Sequence, residues 1–284
     1  MKANHLIEIG LIYGGLAILG AIVAELTPGT LILQAGVADL VMTIAIFAVS
    51  VWKTNSSAYD AYWSVIPSFL TVWLLVKADG LNWSIWAWLT FLLVNVWSWR
   101  LTWNWARGWS GWNHEDWRYT DLRIKHGPRF QLINFSGIHL FPTVIVFVAS
   151  LGLFDVAFAT QFSSVLMLLG LLIGSVGVSL EFVADNQLAE FRRRPDPQTS
   201  DLLDSGIWGV VRYPNYLGEL MFWLGIAICG LGAGGAWWVA IGAVAMLGLF
   251  LFISIPMKDE RMRARRVGFE DYQQRVPAFF PRWG

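Results

Sequence analysis

Eight apolar runs, each close to the roughly 20 residues that a helix needs to cross the hydrocarbon of a bilayer, recur along this chain. They fall at about 6–26, 33–52, 62–78, 83–103, 133–154, 161–182, 214–231 and 236–256. The expected fold is therefore all-α, a multi-pass transmembrane helix bundle with seven or eight spans. The count turns on the last pair, joined only by Leu231-Gly232-Ala233-Gly234-Gly235, which forms either a tight hairpin or the link between two full crossings. Parity favours eight. Composition points the same way: of 284 residues 56% are hydrophobic, only 14% are charged, and 18 are Trp, a balance foreign to a soluble domain of this length. The stretch after Lys2 resembles a signal peptide, but its run to Leu26 is long enough to span and is read as the first crossing.

Charge placement sets the expected topology. With eight spans and an inside N-terminus, nineteen of the 20 Lys and Arg lie on one side, and only Lys77 falls outside. The long polar segments, about 104–131, 183–213 and 257–284, share that face. Both termini, and any pocket for a polar cofactor, are thus expected to face the cytoplasm. No internal repeat or composition shift divides the chain, so 1–284 reads as a single integral membrane domain, with 160–284 as its cofactor-binding C-terminal half.

Several function classes drop out. A net charge of zero excludes a generally basic nucleic-acid binder. Cys229 is the only cysteine and lies in an apolar run, which leaves no disulfide framework. His5, His114, His126 and His139 are too scattered for a helical metal pair, so no metal is expected. Gly230-Leu231-Gly232-Ala233-Gly234-Gly235 matches a dinucleotide glycine pattern in form, but without a preceding strand it is read as a helix turn.

Polar residues of chemical interest gather in four places. Glu181, Asp185, Leu188 and Arg192 share one helical face where the sixth run ends, followed by Arg193 and Arg194. Arg212-Tyr213-Pro214-Asn215-Tyr216-Leu217-Gly218-Glu219 begins the next run, with Pro214 suited to a first helical turn and Gly218 to close backbone approach. Lys258, Arg261, Arg263, Arg265 and Arg266 set five cations around one helix, able to hold the phosphates of a large anionic cofactor or the head groups of anionic lipids. Near the third run, Tyr59, Asp60, Tyr62, Trp63 and Ser64 fall within two turns, proton donors beside an apolar channel or an aromatic belt with a capping Asp. Asn95, Arg100 and Asn104 either complete that pocket or stabilise helix contacts.

From Glu181 to Gly284 the chain resembles the membrane steroid 5-alpha-reductase family, as a bacterial homologue. The resemblance is carried by the Asp185-to-Arg192 helix, by Tyr213-Pro214-Asn215-Tyr216-Leu217-Gly218-Glu219, and by Phe269-Glu270-Asp271-Tyr272 with its Pro-Phe ending. It is weaker upstream, where Ile66-Pro67-Ser68-Phe69 is similar to a family Leu-Pro-Ser-Phe run and Arg107-Gly108 to a nucleotide-touching loop. It implies an NADPH site built from Glu181, Asp185, Arg192, Arg107, Arg212, Tyr213, Asn215, Glu219, Arg261, Arg265 and Tyr272. One departure bears on chemistry: the family's Gln-Glu pair is Ser64-Val65 here. Asp60, with Tyr59 or Tyr62, is then the expected proton donor. The motif at Arg212 to Glu219 is also similar to that of isoprenylcysteine carboxyl methyltransferases, which bind S-adenosylmethionine.

The expected activity is NADPH-dependent reduction of the C=C bond of a 3-oxo-4-ene steroid or similar lipid enone, by a monomer in a bacterial inner membrane. The cationic excess favours this over the methyltransferase, because only the dinucleotide brings phosphates. A non-catalytic lipid-binding protein is the third reading.

Overall fold

The computed structural model describes residues 2–80, 83–194 and 201–280, and among them all regular structure is helical. The chain forms two compact units, Met1–Gln161 and Phe162–Gly284.

The first unit begins with α1 (Lys2–Leu26) and α2 (Leu31–Trp52). Thr30 starts α2 by accepting a hydrogen bond from the Leu33 N–H, which satisfies one of the orphan donors of the first turn. Along α1, Ile9, Tyr13, Leu16, Gly20 and Ala24 are buried at three- and four-residue spacing, while Ile7, Leu11, Ile18 and Ile22 remain exposed. An apolar face left bare in this way suits lipid rather than water. Next come α3 (Tyr62–Lys77), with Pro67 in its interior, and α4 (Ile85–Gly108). Pro67 removes a rung from the α3 ladder, and in that turn Ser98 of α4 donates to the Ser64 carbonyl at 2.6 Å. Asn95 joins the same two helices, donating to Thr71 and accepting from Ser68. Its work is therefore helix contact.

The unit closes with α5 (Trp117–His126), α6 (Phe130–Ile133), α7 (Phe141–Ala149) and α8 (Gly152–Phe158). Between α6 and α7 the backbone widens into a π-helical stretch, Asn134–Leu140, which carries the buried His139.

The second unit is organised on α9 (Ser164–Arg193) and α10 (Pro214–Gly232). Pro214 occupies the first turn of α10, where its missing N–H costs nothing. Glycines let the two backbones touch: a Cβ on Gly177 would lie 2.5 Å from the Gly218 carbonyl, and one on Gly225 would lie 2.6 Å from that of Gly170. The turn after α10 contains Gly234 at φ +90, so the glycine-rich run ends a helix as its sequence indicates. Then follow α11 (Ile241–Leu249), a π-helical stretch Phe250–Ser254, α12 (Ile255–Arg265) and α13 (Phe269–Arg275).

All eight expected runs are helical, and among the described residues six helical segments are long and apolar enough to cross a membrane: Lys2–Leu26, Leu31–Trp52, Trp117–Phe158, Ser164–Arg193, Pro214–Gly232 and Trp237–Arg265. Of the other two, α3 has only 16 residues, and α4 is interrupted by polar side chains and rich in Trp. The protein is an all-helical membrane protein.

Candidate functional site

In the first unit, α1, α2, α3 and α7 line a half-open cavity of about 550 Å³. Gly20, Ala24, Ala35 and Ala38 give it a smooth side, and Phe69, Trp73 and Phe147 an aromatic one. This size and lining suit a rigid apolar ligand. Only Asp39 and Glu25 bring charge-bearing groups to the wall, and Glu25 is engaged by Lys77 at 2.6 Å.

Asp39 is the end of a buried chain of oxygens. The Tyr62 hydroxyl donates to Asp39 Oδ1 at 2.9 Å, and Thr43 lies 3.3 Å from the Tyr62 oxygen and 3.2 Å from that of Thr143. Thr143 in turn pairs with the Tyr59 hydroxyl at 2.8 Å. The His139 ring lies tilted against that of Tyr59, centroids 4.7 Å apart, and is fixed by Ser50 through Nε2 and by the Asn134 carbonyl through Nδ1. Burial pushes the Tyr59 hydroxyl well above its ordinary range, so it stays neutral.

Of the three residues expected to serve catalysis, Tyr59 and Tyr62 share this chain, with ring centroids 5.5 Å apart. Asp60 has other partners. Its Oδ1 accepts from the Tyr119 hydroxyl at 2.5 Å and lies 3.7 Å from Arg118. Burial pushes the Asp60 carboxyl up to about 6, against the pull of Arg118 and of hydrogen bonds from Tyr119 and Ser57, with nearby Asp116 adding to the rise.

In the second unit the polar core is ionic. Arg212 donates to the Gln273 and Val276 carbonyls and to Asp259 Oδ2, the last at 3.2 Å. Tyr213 donates to Asp259 Oδ1 at 2.5 Å, and Gln273 to Asp259 Oδ2 at 2.9 Å. The backbone N–H groups of Arg212 and Tyr213 bond the carbonyls of Pro277 and Ala278. Tyr272 gives its hydroxyl to the Trp208 carbonyl at 2.6 Å. Burial, then Asp259, hold the Tyr213 hydroxyl well above its usual range. Arg212, Tyr213 and Tyr272 thus fasten the C-terminal segment to the start of α10.

The other expected cofactor residues divide by position. Glu181 is buried where Gly218 makes room for it, since a Cβ there would lie 2.5 Å from Glu181 Cγ. Glu219 is buried and accepts from the Trp223 indole at 2.8 Å. Asp185 and Arg192 continue the Glu181 face, and Arg192 feels both Asp185 and the like charge of Arg266. Arg261 is half-buried and Arg265 exposed on α12. Asn215 keeps a buried Oδ1 that takes no hydrogen bond from the described residues. Arg107 belongs to the first unit, where it donates to Asn104 at 2.7 Å. Lys258 lies 4.4 Å over the Tyr216 ring, which stacks on Phe250 at 4.5 Å.

Sequence reasoning passed over Asp39, Thr43 and Thr143 in the first unit and Asp259 and Gln273 in the second, and weighed His139 only as a metal ligand. One signal was available: Asp39 is the sole charged residue of the run 33–52, and an ionisable residue inside a span marks a functional site by default.

The protein is thus a helical membrane protein whose first unit holds an apolar cavity with Asp39 and Glu25 on its wall, and whose α9 ends in clustered arginines. The chain belongs to the family described as "Protein of unknown function (DUF1295)", a steroid 5-alpha-reductase-like family, which matches residues 46–276. It is similar to an uncharacterized protein of Schizosaccharomyces pombe, 26% identical over 277 residues, covering 84% of this chain and 76% of the relative. No solved structure matches it.

Proposed function

We propose that this protein is an NADPH-dependent reductase of the C=C bond conjugated to the ketone of a steroid-like lipid. The observation that carries the reading is the convergence of like charges in the second unit. Arg192 near the end of α9 and Arg266 beyond α12 act on each other electrostatically, an arrangement that a bound polyanion stabilises. The orphaned Asn215 Oδ1 is a second point of fit, an acceptor awaiting an amide or hydroxyl.

Arg192, Arg265 and Arg266 would meet the phosphates and Asn215 a polar group of the dinucleotide, while Asp185 orients Arg192. Arg212, Tyr213 and Tyr272 serve as positioning residues for that surface. When bound, the nicotinamide supplies a hydride to the enone. The cavity of the first unit holds the lipid. The setting is a bacterial inner membrane, with both termini and the arginines cytoplasmic and the protein a monomer.

Thermal unfolding in detergent tests this. NADPH at a hundred times its dissociation constant stabilises the protein by about 2.7 kcal/mol, and Arg192→Glu removes that gain. A gain from S-adenosylmethionine alone makes the protein a methyltransferase, and no gain from either makes it a non-catalytic lipid binder.

A further inference from the structure

The hydroxyls of Tyr59, Thr143, Thr43 and Tyr62 all have partners, and so does Asp39 Oδ1. What remains is Asp39 Oδ2, which takes no hydrogen bond from the described residues, on a side chain that lines the cavity. No Lys, Arg or His lines that wall to form an ion pair with it. A carboxyl donates only as the neutral acid, and an oxygen that accepts from Tyr62 is the carbonyl oxygen of that acid. The proton then belongs on Oδ2, on the cavity side.

We propose that Asp39, as the neutral acid, donates a hydrogen bond from Oδ2 to the single carbonyl oxygen of an otherwise apolar lipid in this cavity, with Tyr62 as the residue that orients it. The wall is mostly alanine, glycine and aromatic carbon, with Asp39, Glu25 and the Trp73 indole N–H as its polar groups, so its ligand is largely apolar. The proposal takes the class of ligand from the reductase reading. Within that reading, Asp39 polarises the enone carbonyl and so occupies the role vacated by Ser64-Val65.

The test uses the full chain in lipid nanodiscs without nucleotide, with cholestenone as the probe and cholestane, the hydrocarbon without oxygen, as the control. Infrared difference spectra read the carbonyl stretch of isotope-labelled cholestenone. The expected result is a stretch below its value in hexane for wild type, restored to the hexane value in Asp39→Leu. Affinity for cholestenone falls about tenfold in that variant while cholestane binds both proteins equally. Tyr62→Phe frees Oδ1 to share the proton, so the single shifted band splits or broadens while affinity stays within about twofold.

A carbonyl stretch indifferent to Asp39→Leu overturns the proposal, as does equal binding of cholestenone and cholestane in every protein. Should Asp39→Leu fail to bind cholestane, its fold is lost and Asp39→Asn replaces it. The weaker amide donor must then reduce the shift, and an unchanged shift overturns the proposal. Because no nucleotide is present, the outcome is separable from the reductase reading. A shifted band without NADPH-dependent turnover sinks only the reductase, and full turnover in Asp39→Leu sinks only the role of Asp39.

Discussion

The two units bury polar groups in opposite ways. In the first, the interior polar chain from Tyr59 through Thr143, Thr43 and Tyr62 to Asp39 is built of hydroxyls, and it ends at a cavity. In the second, Arg212 and Asp259 form a buried salt bridge, with Tyr213, Gln273 and backbone carbonyls as further partners. Packing differs in step. Large aromatic and aliphatic side chains such as Tyr13, Tyr59, Tyr62 and Ile46 fill the first unit around its void, whereas glycines bring α9 and α10 into backbone contact. A neutral hydroxyl chain tolerates an empty space beside it, because a ligand can supply the last partner. A buried ion pair does not, since removing any partner leaves a charge in low dielectric. The first arrangement suits recognition and the second suits fastening.

Breaking the ionic knot is expected to have the largest effect. Arg212→Met strands Asp259 and should cost about 3–5 kcal/mol, read as a lowered thermal midpoint and early proteolysis after Met257. Should that variant be as stable as wild type, the knot is not what fastens the C-terminal segment.

The glycine contact comes next. Gly225→Val forces a side chain between two backbones that have no flexible atom to yield, and about 3 kcal/mol should be lost. The same change at Gly10 of α1, where a Cβ would meet nothing within 4 Å, should be close to neutral. Equal losses at both positions would erase the contrast in packing.

Asp60 gives a pH signature to the first unit alone. Its folded carboxyl titrates near 6 against an ordinary value of 3.8, so the folded state holds the proton more tightly than the unfolded one. Stability is therefore greatest below the ordinary value and falls as pH rises through the folded value, by about 2–3 kcal/mol in all. Asp60→Asn should flatten that fall in thermal midpoints measured from about pH 4 to pH 7. A slope that survives the substitution belongs to another group.

The smallest effect sharpens the account of the hydroxyl core. Tyr13→Phe removes a donor to the Ala58 carbonyl at 2.7 Å and should cost about 1 kcal/mol in denaturant unfolding. A loss as great as that at Arg212 would mean that neutral and ionic cores are equally brittle.

Much of this was legible one residue at a time. Spanning-length apolar runs became helices because a backbone in hydrocarbon has to satisfy itself locally, so length and apolarity suffice. Pro214 opens α10 and Gly218 admits a close neighbour for equally local reasons. The helical face from Glu181 to Arg192 is likewise continuous on α9. The site was only partly legible. Tyr59 and Tyr62 were visible as a pair, but their partners Thr43 and Thr143 are 100 residues apart and are common residues in any span. Arg212 and Tyr213 stood out as donors, yet the acceptor that engages both, Asp259, lies 46 and 47 residues further on.

The sequence by itself therefore determined that this chain is a bundle of membrane helices, where most helices begin and end, and which side chains are chemically unusual. Tertiary structure decided which of those side chains meet: that Asp60 turns to Tyr119 rather than to Tyr62, that Arg212 is spent on Asp259, and that Asp39 faces a cavity. The reason is physical. Helix formation in a bilayer is enforced by hydrogen bonds four residues apart, whereas the partner of a buried polar group is set by helix packing between segments that no local pattern links.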